Sequence, residues 1–174
     1  MKRYFILLII FVTTFNCESD DICPESALTT PRLVITFFDV NNPDERKNVE
    51  SLGIYIIKNS ELVLLSEING INTDSIAIPL RDDESVSNFK FSKDFSDDIT
   101  VIPSGLANHV YIDYDINEVF VSRACGFTNQ YHSLNFLNYD PNSNTNTTDN
   151  WLQQIIILND SVTNENQSHV KILH

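Results

Sequence analysis

The chain has 174 residues, with 11 Lys and Arg against 24 Asp and Glu, so its formal net charge is −13 at pH 7. Hydrophobic residues make up 42% of the chain and aromatic residues 10%, a composition that indicates a folded domain and excludes a disordered tail. The length favours a single domain. The acidity argues against nucleic-acid binding, because neutralising phosphates requires clustered Lys and Arg.

The first 16 residues have the pattern of a secretory signal. Lys2 and Arg3 form a positive start, and residues 4–12 are an unbroken apolar run of nine. A membrane-spanning helix needs about 20 apolar residues, so the run is too short to cross a bilayer. Phe15 and Asn16 suit ordinary signal peptidase poorly, because that enzyme selects small residues just before its cleavage site.

Cys17 follows this run and resembles the cysteine of a bacterial lipobox, which is acylated and becomes the new N-terminus. Asn16 departs from the Gly or Ala usual in such boxes. Two or three acyl chains, at about 0.8 kcal/mol per buried methylene, give stable anchoring. The alternative is that Cys17 is an ordinary disulfide partner after cleavage elsewhere. Removal of residues 1–16 leaves nine basic residues against 24 acidic ones, a formal charge of −15.

Residues 18–21 (ESDD) place an acidic cluster directly after Cys17. Such a cluster resembles the signal that sends Bacteroidota lipoproteins to the outer face of the outer membrane. The alternative is a solvated acidic tether on a protein that faces the periplasm. Residues 17–31 are interpreted as this tether, and residues 32–174 as the folded domain.

The chain has three cysteines, Cys17, Cys23 and Cys125. If lipid occupies Cys17, the other two form an even set in an oxidising compartment, which favours a Cys23–Cys125 disulfide. The bond would close a loop of about 100 residues, for which the chain-entropy model gives roughly 4.7 kcal/mol before strain is subtracted. The alternative is two separate buried thiols. A zinc site is not predicted, because the sequence has no CxxC motif and no Cys/His cluster.

Short β-rich runs with turn residues between them occupy the domain. Residues 32–39 are apolar on both faces, as in a central strand. Residues 52–58 and 61–66 flank Asn59-Ser60, which predicts a two-residue hairpin. Further strands are predicted at 75–80, around Phe89 and Phe91, and at 99–102.

The cleanest period-two pattern covers residues 109–115, where Val110, Ile112 and Tyr114 face one way. A turn at Ile116-Asn117 is predicted to join this strand to residues 118–124 in a second hairpin. Residues 139–150 form a polar loop, 151–159 favour a strand over a helical turn, and 169–173 form the last strand. Eight or nine strands predict an all-β fold, an antiparallel β-sandwich of immunoglobulin-like general architecture.

No pattern assigns a catalytic residue or a cofactor. The four histidines, His109, His132, His169 and His174, lack metal-ligand spacing, and His109 and His169 are expected to be solvated or partly packed. Nucleophile-elbow, HExxH and phosphate-loop motifs are absent from the sequence. The protein is therefore expected not to be an enzyme. A hydrolase with a dispersed Ser/His/Asp site is the least favoured alternative.

One loop offers several oxygen ligands of the kind that calcium prefers, from Asp39, Asn41, Asp44 and Glu45. It lacks the spacing of an EF-hand, and Asn and Asp beside Pro are also what an ordinary turn requires. The turn is the favoured interpretation.

Scattered aromatic residues could stack against sugars or fill the core; they are Tyr55, Tyr111, Tyr114, Tyr131, Tyr139 and Trp151. A glycan-binding surface module is the main alternative function, and it predicts an exposed Trp151. Ser75 and Ser161 lie in Asp-Ser-apolar triplets, which resemble the O-glycosylation sites of extracytoplasmic Bacteroidota proteins. Chance matches to three residues are common.

Four segments together resemble an uncharacterised family of small, flavobacterial-type outer-membrane lipoproteins of Bacteroidota; they cover residues 17–23, 30–33, 39–43 and 123–127. The resemblance implies an outer-membrane location and no assigned activity, and it strengthens the case for the Cys23–Cys125 pairing. We therefore expect a lipid-anchored, cell-surface β-sandwich that serves as an interaction or accessory subunit. Its expected partner is an integral outer-membrane or envelope protein.

Overall fold

The computed structural model describes residues 22–96, 106–138 and 150–174, and these ranges contain ten β-strands and no helix. The predicted signal, Cys17, the acidic cluster, the strand predicted at 99–102 and nearly all of the loop predicted at 139–150 lie outside the described residues. The strands are β1 (Leu33–Phe38), β2 (Val49–Lys58), β3 (Glu61–Leu64), β4 (Ile71–Thr73), β5 (Ser75–Ile78), β6 (Val86–Lys93), β7 (Leu106–Ser122), β8 (Gly126–Leu137), β9 (Gln154–Ile157) and β10 (Val170–Leu173).

The chain divides into two compact units. The described residues of the first, which we name the hairpin unit, are 22–29 and 118–128. The second, which we name the sandwich unit, comprises the described residues within 30–117 and 129–174.

The first sheet has four strands in the order β5-β1-β10-β9. Leu33, Ile35 and Phe37 of β1 are fully buried, and Thr36 is only 3% exposed, which confirms the predicted central strand. β1 pairs with β10 in parallel, from Ile35 opposite Val170 onward, whereas its pairing with β5 is antiparallel. The sequence predicts antiparallel strands, so the parallel β1–β10 pair differs from that prediction. The sequence could not show the difference, because the period-two pattern of a strand is the same in both kinds of pairing.

The second sheet has six strands in the order β3-β2-β6-β7-β8, with β4 also paired to β2. The hairpin predicted at Asn59-Ser60 is confirmed, since Lys58 of β2 pairs with Glu61 of β3. Asn59 and Ser60 have φ angles of 52° and 67°. Two consecutive left-handed residues give the tight hairpin turn whose twist matches that of the strands.

Strand β7 confirms one prediction and corrects another. Val110 and Ile112 are fully buried and Tyr114 is 3% exposed, as the alternation predicts. The predicted turn at Ile116-Asn117 is wrong, because β7 continues without a break to Ser122. Ile116 is β-branched and favours extended backbone over the left-handed conformation that a two-residue turn requires.

The two sheets enclose one core, which confirms the predicted β-sandwich. Trp151 lies between them, with its ring centroid 6.2 Å from that of Phe37 in β1. Its indole Nε1 donates a hydrogen bond of 3.2 Å to the Phe91 carbonyl oxygen in β6. Trp151 thus contacts one strand of each sheet within the sandwich unit.

Candidate interaction surface

A disulfide joins the two segments of the hairpin unit. Cys23 and Cys125 are bonded with their Cα atoms 4.8 Å apart, at a sequence separation of 102. The predicted pairing is confirmed, and the alternative of two separate thiols is wrong. The bond fixes the chain around Cys23 to the turn between β7 and β8.

Local turns position both cysteines. On one side, the Ala27 amide donates a hydrogen bond of 2.9 Å to the Pro24 carbonyl, which closes a turn directly after Cys23. On the other, the Cys125 amide donates 3.0 Å to Ser122 Oγ. Gly126 follows with a φ of 73°, a conformation that Gly adopts without steric cost.

Two phenylalanine rings are exposed on the same hairpin. Phe120 is 58% exposed and Phe127 is 61% exposed. Their ring centroids are 5.3 Å apart and the rings are T-shaped, which is a favoured aromatic arrangement. Ile22 and Leu28 of the same unit are 77% and 61% exposed. Monomeric soluble proteins rarely expose large apolar side chains in groups, so this unit is a candidate interaction surface.

Sequence reasoning missed this pair of rings, although a signal was present. Val119, Phe120 and Val121 are three consecutive apolar residues in a strand. Successive side chains of a strand point to opposite faces, so both faces of this stretch carry apolar side chains. If the fold buries only one face, the other face exposes apolar side chains. The position of the true turn was needed to place Phe127 beside Phe120.

The described residues of the hairpin unit carry few charges. Its described residues include one cation, Arg123, and two acids, Glu25 and Glu118, all three exposed. The local formal charge of these described residues is therefore −1. A net charge this small adds little repulsion from an anionic surface.

The sandwich unit brings a histidine, a serine and an aspartate together, but in an order that does not suit a hydrolase. His132 Nδ1 lies 3.2 Å from Ser161 Oγ. That hydroxyl donates to Asp160 Oδ1, also at 3.2 Å. In a catalytic triad the carboxylate holds the imidazole, whereas here it holds the serine, so it does not orient the histidine as a base.

The predicted calcium ligands do not form a metal site. No group of three or more His, Cys, Asp or Glu side chains among the described residues is placed to hold a metal ion. Asp39 Oδ1 instead accepts the Asn41 amide at 2.7 Å, and Asp39 Oδ2 lies 3.4 Å from Lys47 Nζ. The amide hydrogen bond is the leading cause that lowers the pKa of Asp39. Asp44 and Glu45 remain part of an ordinary turn, in which Asn42 Nδ2 donates 3.0 Å to Glu45 Oε2.

The two serines predicted as O-glycosylation sites are both partly buried. Ser75 begins β5 and pairs with Thr36 of β1, and its carbonyl accepts the Thr73 hydroxyl at 2.6 Å. The Ser161 hydroxyl is engaged by His132 and Asp160. Modification of either serine stays a prediction.

His169 corrects the expectation of a solvated or partly packed side chain, because it is fully buried. Its Nδ1 accepts the Val34 amide at 3.1 Å, and its own amide donates 2.9 Å to the Val34 carbonyl. Desolvation lowers the pKa of His169. The residue holds β1 in place and is not available to a ligand. His174 is 7% exposed, and burial lowers its pKa as well.

The aromatic residues proposed for sugar stacking are largely in the core. Trp151 is 7% exposed, where a glycan-binding surface requires it exposed. Tyr55, Tyr114 and Tyr131 are 6%, 3% and 0% exposed. Desolvation raises the pKa of Tyr114 and of Tyr131 to about 12. These four side chains therefore offer no face to a sugar.

Arg32 lies beside a groove of about 240 Å³ in the sandwich unit. Its guanidinium is already bound by two carboxylates. Arg32 Nη2 lies 2.8 Å from Glu165 Oε2, and Arg32 Nη1 lies 3.5 Å from Glu67 Oε2. The hydrogen bond from Arg32 is the main cause that lowers the pKa of Glu165. Arg32 is thus occupied as a tie between β1 and the loop that precedes β10.

None of the described residues belongs to a helix long and apolar enough to cross a membrane. Residues 51–174 match a family of unknown function, DUF6452. The match covers more than half of the chain, including Cys125 and both exposed phenylalanines, and it begins after Cys23. No curated protein and no solved structure matches the chain. The expectation of an uncharacterised family is confirmed.

Proposed function

We propose a function for this chain, which belongs to the DUF6452 family of unknown function. The protein is a lipid-anchored, non-enzymatic interaction subunit of the outer membrane. In this proposal, Cys17 carries the lipid and the sandwich unit binds an integral outer-membrane or envelope protein. The source is a bacterium of the Bacteroidota, and the acidic cluster at 18–21 directs the protein to the cell surface.

The disulfide is the observation that carries this proposal. Cys23 and Cys125 are bonded, and disulfides persist outside the reducing cytosol. This supports export, which the signal pattern of residues 1–16 independently predicts. Since Cys23 is consumed by Cys125, Cys17 is the one cysteine of the chain left for acylation.

Charge and sheet edges support a partner-binding role. Arg32, Arg46 and Arg81 each form salt bridges with acidic side chains, so the excess of acids is left to face solvent. An acidic surface favours a partner with a basic one. Within the described part of the chain, β9 ends the four-stranded sheet, and Ile157 and Leu158 there are 38% and 54% exposed. A strand of the partner can add to such an edge.

The anchor supplies the mechanism. A domain confined to the membrane meets its partner at a high effective concentration, so modest contacts are sufficient for a stable complex. This removes the need for a large interface and suits a small accessory subunit.

The test compares serine substitutions at different cysteines in cells that produce the protein. Cys17→Ser should release the protein from the membrane fraction, and mass spectrometry of the wild type should find acyl chains on Cys17. The matched control is Cys23→Ser with Cys125→Ser, which should stay in the membrane fraction. An unmodified Cys17 thiol, or unchanged fractionation of Cys17→Ser, contradicts the anchor.

Crosslinking and affinity purification from native membranes then test the interaction role. We expect an envelope protein to co-purify. A charged substitution at the exposed edge residue Ile157 (Ile157→Glu) should reduce its recovery, whereas Val63→Glu should not. If no envelope protein co-purifies while a glycan array gives binding, the accessory-subunit role is wrong and the glycan-binding alternative replaces it.

A further inference from the structure

The hairpin unit contains apolar side chains that its own fold does not bury. Phe120 and Phe127 expose more than half of their surface, and neither ring carries a polar group that would favour water. The two rings contact each other, so they present one aromatic surface. Interfacial membrane-binding elements use this type of side chain on the face that enters the lipid.

The disulfide limits how far this surface can lie from the proposed anchor. Cys23 is six residues after Cys17. A fully extended chain of that length spans at most about 20 Å, and a flexible one has a root-mean-square span of about 13 Å. The Cys125 Cα lies 4.8 Å from the Cys23 Cα, and Phe127 follows two residues later. An anchor at Cys17 therefore keeps the rings close to the headgroup layer.

We propose that Phe120 and Phe127 insert into the outer leaflet beside the lipid anchor, so that the disulfide-bonded hairpin is a second membrane contact. This inference rests on the proposed lipidation of Cys17. The local charge of −1 adds little repulsion from an anionic surface, and the covalent anchor overcomes the repulsion of the acidic tether. Two contacts fix the orientation of the hairpin unit on the membrane, which one flexible tether alone does not.

Tryptophan fluorescence of the lipidated protein tests the insertion. The variants are Phe120→Trp and Phe127→Trp, reconstituted in phosphatidylethanolamine/phosphatidylglycerol vesicles with or without acyl-chain-brominated lipid. Insertion places the new indole about 5–10 Å below the surface, where bromine should remove about half or more of its emission and the spectrum should shift to the blue. Val63→Trp is the matched control, since Val63 is 50% exposed in the sandwich unit, and it should not be quenched. Buried Trp151 gives the same background in all three.

Trypsin gives a second measurement that needs no tryptophan. Arg123 is exposed in the turn of the hairpin unit, and Lys58 is exposed beside the turn between β2 and β3. In vesicles, Phe120→Ser with Phe127→Ser should speed cleavage after Arg123 several-fold and leave cleavage after Lys58 unchanged. Both serines replace exposed side chains, so the fold is expected to survive.

The outcomes separate this inference from the proposed function. Unquenched Phe120→Trp and Phe127→Trp, in samples whose Cys17 acylation is verified by mass spectrometry, overturn the insertion and leave the anchor intact. The indole emission could instead shift to the blue in native membranes while brominated vesicles do not quench it. That result assigns the surface to a protein partner and also overturns the insertion. An unmodified Cys17 overturns both proposals, because the distance argument depends on the anchor.

Discussion

The sandwich unit and the hairpin unit treat the same kind of side chain in opposite ways. In the sandwich unit Phe37, Phe89 and Phe91 are fully buried, whereas Phe120 and Phe127 of the hairpin unit are more than half exposed. The first unit is held together by apolar burial and the second by a covalent bond. Because a disulfide and not a core holds the shape of the hairpin unit, its apolar side chains can remain exposed.

Alanine in place of a phenylalanine in each unit gives the largest expected contrast. Phe91→Ala should lower the free energy of unfolding by about 3–5 kcal/mol, since it leaves a cavity between the two sheets. Phe120→Ala should change it by no more than about 0.5 kcal/mol, because that ring is exposed. Urea unfolding of both variants measures the difference. Equal losses would show that Phe120 is part of a core and would remove the contrast between the units.

Loss of the disulfide should come next. Cys23→Ser with Cys125→Ser should lower the free energy of unfolding by about 2–4 kcal/mol, because the unfolded chain loses a long closed loop. Denaturant unfolding with and without reductant measures it. Reductant should destabilise the wild type by a similar amount and leave the double variant unchanged. If reductant does not affect the wild type, the bond does not stabilise the fold.

Parts of the fold could be predicted because local chemistry determines them. Asn59-Ser60 tolerates the left-handed conformation, so the sequence correctly predicts the turn between β2 and β3. The alternation of Val110, Ile112 and Tyr114 gave the buried face of β7. With Cys17 assigned to the lipid, the two remaining cysteines favour a disulfide over two separate thiols, and the structure contains that bond.

Other parts depend on contacts between distant residues, which no local pattern records. The parallel pairing of β1 with β10 joins opposite ends of the domain. His169 occupies a polar phase of its strand pattern, yet it is fully buried and its Nδ1 accepts the Val34 amide of β1. The exposed pair of Phe120 and Phe127 depends on the true end of β7 at Ser122, whereas the sequence pattern predicts that this strand ends at Asp115. The candidate surface was therefore not found from the sequence.

One glycine in each unit extends the contrast between the two units to single backbone positions. A Cβ on Gly53 of the sandwich unit would lie 2.6 Å from Phe95 Cδ2, so Gly53→Ala should cost about 1–3 kcal/mol through overpacking. A Cβ on Gly126 of the hairpin unit meets nothing within 4 Å, and Gly126→Ala should cost about 1 kcal/mol through its left-handed backbone alone.

A double-mutant cycle with Phe95→Ala separates these two causes. The cost of Gly53→Ala should fall when the Phe95 ring is removed, and the cost of Gly126→Ala should not change. Thermal or denaturant unfolding of the six chains gives both coupling energies. Equal coupling energies for the two glycines would show that contact with the Phe95 ring does not cause the destabilisation by Gly53→Ala.

The smallest expected effect is a dependence on pH that arises in the sandwich unit, since the described residues of the hairpin unit include no histidine. Burial lowers the pKa of His169 below its ordinary value of 6.5 in the folded chain. As the pH falls, the unfolded chain therefore binds a proton at residue 169 before the folded chain does. The stability that neutral His169 contributes is fully present above about pH 6.5 and decreases as the pH falls toward the lowered pKa of the folded state. Protonation also removes the acceptor of the Val34 amide.

His169→Asn keeps a comparable acceptor without the titration, and His174, whose pKa is lowered in the same way, stays in both chains. Between pH 7.5 and 5.5 the wild type should lose more stability in urea than His169→Asn, and parallel losses would show that His169 does not contribute.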